Sequence, residues 1–176
     1  MNTLKKTALF SLLALYIPVS QAAATEYSLD PQHTSVVIAW NHFGFSTPSA
    51  NFTDIQGVIK VDNAKPANSS VEVTIPLSSV NTNVVALDKE FQEEAWFNAA
   101  KYPNITFKST KVETKDKKHF KITGNLTVKG VTKPVVLDAV LNKQGEHPMA
   151  KVPAIGFNAT TSFDRSAFGI GNYVPN

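Results

Sequence analysis

Past Ala24, most of the chain alternates apolar and polar residues in short runs, the period of two expected of β-strands. Ser35 to Phe45 sets Val37, Ala39, Asn41 and Phe43 against Val36, Ile38, Trp40 and His42, so both faces of this run are rather apolar. Phe52 to Asp62 carries Ile55, Gly57, Ile59 and Val61 in alternation. Val71, Val73, Ile75 and Leu77 alternate with Glu72, Thr74 and Pro76, and Pro76 predicts a strand end or an edge. Ile105, Phe107 and Ser109 follow, then Phe120, Ile122, Gly124, Leu126 and Val128, with Lys115 to Lys118 as a polar hairpin loop between them. Val135, Leu137, Ala139 and Leu141 run up to Gln144 and Gly145, and Ile155, Phe157, Ala159, Thr161 and Phe163 make the last run. With a short strand over Glu26 to Leu29 the pattern predicts about eight strands, the spacing of an all-β barrel or sandwich.

One stretch breaks the alternation. From Asn83 to Asn98, Leu87, Phe91 and Ala95 recur every four residues, with Asp88, Glu90, Glu93 and Glu94 elsewhere. This predicts one or two short helices, with Thr82 or Asn83 as cap and acids near the positive end of the helix dipole. Trp96 and Phe97 at its close are the heaviest aromatic pair in the chain.

The first 24 residues follow a different logic. Lys5 and Lys6 precede an apolar run from Ala8 to Ile17, and small residues end at Ala22-Ala23-Ala24. That order predicts a cleaved secretory signal over residues 1–24, because the run is too short for the roughly 20 residues that span a bilayer. Cleavage after Ala24 removes two lysines and no acid, taking the net charge from +3 to +1 and leaving 152 residues, 25–176, as one domain. A nearly neutral domain has no electrostatic case for nucleic acid. The absence of cysteine excludes a disulfide scaffold, a Cys-ligated metal and thiol catalysis, and suits an oxidising periplasm.

Catalytic patterns are scarce. His33, His42, His119 and His147 do not fall at metal spacing, there is no G-x-S-x-G, and Gly169-Ile170-Gly171 lacks the context of a nucleotide loop. The chain reads as a non-enzyme with no metal and no required cofactor. The positive signal is aromatic excess: ten phenylalanines beyond the signal, with Trp40 and Trp96. They either fill a core or line a barrel lumen, since eight strands enclose just enough room for side chains or one small ligand. Arg165, the only arginine, sits beside Asp164 and can form a structural pair or hold an anionic head group in fork geometry.

Several segments together resemble the YceI-like family of secreted, lipocalin-like, polyisoprenoid-binding proteins. They are Tyr27-Ser28-Leu29-Asp30-Pro31-Gln32-His33-Thr34-Ser35, Asn41-His42-Phe43-Gly44-Phe45-Ser46, Ile55-Gln56-Gly57, Ser79-Val80-Asn81-Thr82, the run from Lys101 to Thr110, the run from Thr123 to Val135, and Asp164-Arg165-Ser166-Ala167-Phe168-Gly169. The resemblance covers about residues 26–174. It implies an extended antiparallel eight-stranded barrel with a helix near one end and a long apolar lumen for an isoprenoid tail, of the quinone or polyprenyl phosphate type. Lumen candidates are Trp40, Phe43, Phe45, Phe91, Trp96, Phe97, Phe107 and Phe157; His42, Asp88 and Arg165 are candidates for the mouth.

The chain departs from the family in two places. Leu87-Asp88-Lys89-Glu90-Phe91 stands where relatives often have Arg-Asp-x-His-Leu, and the chain stops at Tyr173-Val174-Pro175-Asn176 where relatives continue into one more strand. The expectation is therefore a barrel without its final closing strand. The resulting reading is a periplasmic carrier or store for an isoprenoid lipid, with no transmembrane segment after cleavage, a homodimer allowed, and a membrane b561-type cytochrome as a partner implied by the resemblance alone. The alternative is a ligand-free structural or stress-response barrel.

Overall fold

The structure is a computed structural model that describes residues 24–174. The expected signal segment lies outside the described residues except for Ala24. Nine strands occur among the described residues: β1 (Thr25–Ser28), β2 (Val36–Ala39), β3 (Ser49–Phe52), β4 (Gln56–Val61), β5 (Ser70–Pro76), β6 (Asn104–Thr114), β7 (His119–Val128), β8 (Val131–Glu146) and β9 (Pro153–Thr160). One α-helix, α1 (Val85–Gln92), lies between β5 and β6. Seven strands form one antiparallel sheet in the order β1-β4-β5-β6-β7-β8-β9, curled into a nearly closed barrel, while β2 and β3 form a separate hairpin. The fold is all-β and lipocalin-like, as expected.

Three boundaries differ from the sequence reading, each for a local reason. The run from Ser35 to Phe45 is a strand only as far as Ala39, because Phe43 (φ 53°) and Gly44 (φ 81°) turn the chain back. Phe52 to Asp62 is two strands, split where Asp54 adopts φ 55°. That split gives nine strands where eight were counted. The helical stretch is shorter than expected and its cap is Val84, without a side-chain bond to the helix. Asn83 is excluded as the cap by its left-handed backbone (φ 63°). The Thr82 hydroxyl instead donates to Asp88 Oδ1 at 2.7 Å, and the Thr82 N–H donates to the same oxygen at 2.6 Å.

Turn chemistry fixes the long hairpins. Lys129 (φ 50°) and Gly130 (φ 75°) make a two-residue turn with both φ values positive, the twist that suits a β-hairpin. At the β6–β7 tip, Asp116 Oδ1 accepts the N–H groups of Lys118 (2.9 Å) and His119 (2.8 Å). Irregularities at Ser109/Lys111 in β6 and Leu141/Lys143 in β8 bend the sheet and help it curl.

The two faces of the sheet are chemically distinct. Outside, Lys60–Glu26, Lys108–Glu72 and Lys121–Asp138 pair across neighbouring strands, exposed contacts that water screens and that add little to stability. Inside, Val73, Phe107 and Leu126 stand in register, as do Val112, Ile122 and Leu137. The barrel therefore has two ends. The end where β5 stops and β6 begins is filled by Phe52, Ile55, Leu77, Phe91, Phe97, Val128 and Phe168, all buried in one apolar cluster. The other end, at the β4–β5, β6–β7 and β8–β9 connections, is less completely filled. Val61, Val71, Phe120, Leu141, Ile155 and Phe157 there are only half-buried.

Candidate functional site

The less filled end holds an open, mainly apolar recess with a cavity volume of only about 30 Å³. Val61, Phe120, Leu141, Ile155 and Phe157 supply its apolar wall, and Asp62, Asn63, Ser69, Lys117 and Gln144 its polar rim. That volume is far below the roughly 300–1,000 Å³ of small-molecule sites; what the recess shares with them is an apolar wall and a sparse polar rim. The backbone of β7, β8 and β9 places these side chains. Phe120 opposes Ala139, Ala139 opposes Ala159, and Leu141 opposes Phe157.

The rim is ordered by hydrogen bonds. Lys117 Nζ donates to the carbonyl of Asn63 at 3.0 Å and so ties the β6–β7 tip to the β4–β5 loop across the mouth. Asp62 accepts the N–H groups of Ala64 (3.0 Å) and Lys65 (2.7 Å) and the side-chain amide of Asn68 (3.0 Å). The Lys65 N–H, followed by the Asn68 amide, holds the Asp62 carboxyl below the usual carboxylate range. Beside the recess runs a seam between the two sheet edges, β1 and β9. There Gln144 Nε2 donates to the Tyr27 hydroxyl at 3.1 Å, and a second, wider recess of about 260 Å³ is lined by Tyr27, Gln144, Gly145, Glu146 and Pro153.

The lumen candidates named from sequence divide into three groups. Phe157 lies in the recess wall, edge to face with Phe120. Phe107, Phe91 and Phe97 are buried, with 6%, 3% and 6% exposure, inside the packed cluster; Trp40 and Trp96 lean on it from outside, with ring centroids 5.5 Å and 5.0 Å from Phe91. Phe43 and Phe45 lie on the turn between β2 and β3, 58% and 89% exposed.

The three mouth candidates do not converge on the recess. His42 is on the exposed turn, its ring centroid 4.8 Å from that of Phe43. Asp88 is engaged by Thr82 at the start of α1. Arg165 donates from Nη1 to the carbonyls of Ile170 (2.7 Å) and Gly171 (2.6 Å), and from Nη2 to that of Val174 (2.6 Å). Its guanidinium also lies 5.9 Å from the centre of the Trp96 ring. Trp96 Nε1 in turn lies 2.7 Å from the Tyr173 hydroxyl and 2.9 Å from Glu90 Oε1. The Tyr173 hydroxyl donates to Glu90 Oε1 at 2.8 Å, and that carboxylate raises the phenol above its ordinary pKa.

Sequence reasoning did not single out Phe120, Leu141, Ile155 or Lys117. The first three were legible in principle, since each lies on the inward phase of its strand. Lys117 was not, because only the fold carries the hairpin tip across to Asn63. Among the described residues no group of three or more His, Asp or Glu is arranged to hold a metal ion, and no helix is long and apolar enough to cross a membrane.

The fold and this recess define the class: a lipocalin-like antiparallel barrel with an apolar interior that opens at one end. A profile of the YceI-like domain matches residues 27–176, and the chain belongs to that family. It is 39% identical over 170 residues to Protein YceI of Salmonella arizonae, covering 95% of this chain and 88% of that one. A UPF0312 protein of Shewanella sp. (strain W3-18-1) is 37% identical over the same length, with the same coverage. Among solved structures, the YceI protein of Campylobacter jejuni superposes with a TM-score of 0.69 at 36% identity, covering 86% of this chain and 88% of that one. BcnA of Burkholderia cenocepacia gives 0.69 at 25% identity, covering 78% and 82%. The names of these relatives state no catalytic activity.

Proposed function

We propose that this chain is an exported, periplasmic carrier or store for an isoprenoid lipid, and that it performs no chemistry on its cargo. The supporting observation is the gradient along the barrel interior. Inward side chains are fully packed at the α1 end and only half-buried toward Phe120, Leu141, Ile155 and Phe157. A barrel built only as a scaffold has no reason to leave its inward apolar residues uncovered at one end.

The recess takes the tail, not the head. Each buried CH₂ contributes about 0.8 kcal/mol, so a prenyl chain that starts against Phe120, Phe157 and Leu141 and continues along the barrel seam gains enough for binding. The recess takes no more than the tip of a long tail, and the remainder lies along the seam between β1 and β9, where the opening is wider. Lys117 and Gln144 at the rim orient a polar head group. The N-terminal segment with Lys5, Lys6 and the apolar run supports export.

Calorimetric titration of the delipidated mature protein with a prenylated quinone and with a polyprenyl phosphate tests this reading. Saturable binding of either with a negative heat-capacity change is the expected result. Absence of saturable binding for both leaves the ligand-free barrel as the account of the fold.

A further inference from the structure

We propose that the turn at residues 41–46, between β2 and β3, is a membrane-docking tip that seats Phe43 and Phe45 in the headgroup–acyl boundary of a phospholipid bilayer. The two rings are 58% and 89% exposed and stand one residue apart in the chain. Single apolar residues on a surface are ordinary; two phenylalanines held outward on one tight turn are not.

The turn is built to hold them there. The N–H of His42 donates to the carbonyl of Ser46 at 2.9 Å, and the N–H of Phe45 to the carbonyl of His42 at 3.0 Å. Asn41 Oδ1 accepts the N–H of Gly44 at 2.5 Å. Phe43 adopts φ 53°, a region that disfavours any residue with a Cβ, and a turn that only reversed the chain would favour Gly or Asn there. The base of the tip is anchored as well, because the neighbouring Trp40 packs on Phe91 of α1.

The charge pattern selects the partner. Between Asp30 and Asp54 the chain carries no Asp, Glu, Lys or Arg. Val37, on the same hairpin, is also exposed. Such a tip enters a bilayer interface without desolvating an ion, and aromatic rings favour that depth. A second copy of the chain fits less well. A stable protein interface buries about 800 Å² on each partner, whereas two phenylalanines supply at most roughly 500 Å².

This docking goes beyond the lipid-carrier reading and does not depend on it, since the tip contributes no residue to the recess. The test is flotation of the delipidated mature protein with phosphatidylcholine vesicles in low and in high salt. The protein is expected to float with the vesicles in both, because no charge is involved. The double variant Phe43→Ser, Phe45→Ser is expected to lose at least about tenfold in vesicle partitioning, with unchanged circular dichroism, melting temperature and prenyl-quinone binding. The Phe45→Trp variant is expected to shift its added emission to the blue when vesicles are present. No flotation of the wild type, flotation lost in high salt, or equal flotation of the double variant overturns the proposal. A wild-type dimer in sedimentation that the double variant dissociates overturns it too, by giving the tip to a second copy.

Discussion

Phe120 and Phe157 meet edge to face across the small side chain of Ala139, their centroids 5.9 Å apart. The pair spans the width of β8 and forms the apolar wall of the open recess. Because both rings are only half-buried, they have unused apolar surface to offer a ligand. Phe107, by contrast, is closed in. Its ring lies over Gly124 so tightly that a Cβ at position 124 would fall inside it.

This contrast separates binding from stability. Phe157→Asp should abolish saturable prenyl-quinone binding while the melting profile stays cooperative. Phe107→Ala should cost about 3–5 kcal/mol in a denaturant titration, because it leaves a cavity in the packed end. Equal losses of fold and binding in the two variants would reduce Phe157 to ordinary core.

Arg165 organises the chain after β9. Three backbone carbonyls share its guanidinium, and Trp96 lies beneath it. A lysine offers one ammonium and cannot reproduce that fork. Arg165→Lys should therefore lower stability by about 1.5–3 kcal/mol, the range for hydrogen bonds to a charged group. It should also change Trp96 emission, since Trp96 is held between Arg165 and Tyr173. An unchanged denaturation midpoint with unchanged emission would contradict this role.

Asp116 gives the β6–β7 tip a pH dependence. The His119 N–H, then the His119 ring and the Lys118 N–H, hold its carboxyl well below the usual carboxylate range. A carboxyl whose pKa is depressed by folding contributes its stability above the unfolded value, 3.8, and loses it as pH falls below that value. Asp116→Ala should thus melt earlier than the wild type at pH 7. The gap between the two should narrow steadily as the pH is taken below about 3.8. A gap that does not change with pH would show that the carboxylate charge plays no part.

The strand pattern was readable because period-two alternation reports which side chains face the barrel interior, and that interior is apolar along β5 to β9. The places that misled were backbone events with no hydrophobic signature. Phe43, Asp54 and Asn83 all adopt positive φ; Asp and Asn tolerate that region, but the alternation of apolar and polar residues carries no mark of it, and Phe43 gives none at all. The site was legible only in part. An inward aromatic looks the same in sequence whether its neighbours cover it, as Gly124 and Leu126 do for Phe107, or leave it half-buried at an open recess, as with Phe157. Arg165 and Asp88 are polar residues near aromatics in sequence, but short-range partners, Ile170, Gly171, Val174 and Thr82, engage them first.

The central claim is that the half-covered interior holds an isoprenoid lipid. Native mass spectrometry of the chain, exported by its own N-terminal segment and purified from periplasm without detergent, tests it most directly. The account predicts a mature protein carrying one added mass that solvent extraction identifies as a prenylated lipid, and a Phe157→Asp variant without that mass. A folded protein of bare mass, which also fails to take up added prenyl-quinone, would contradict it.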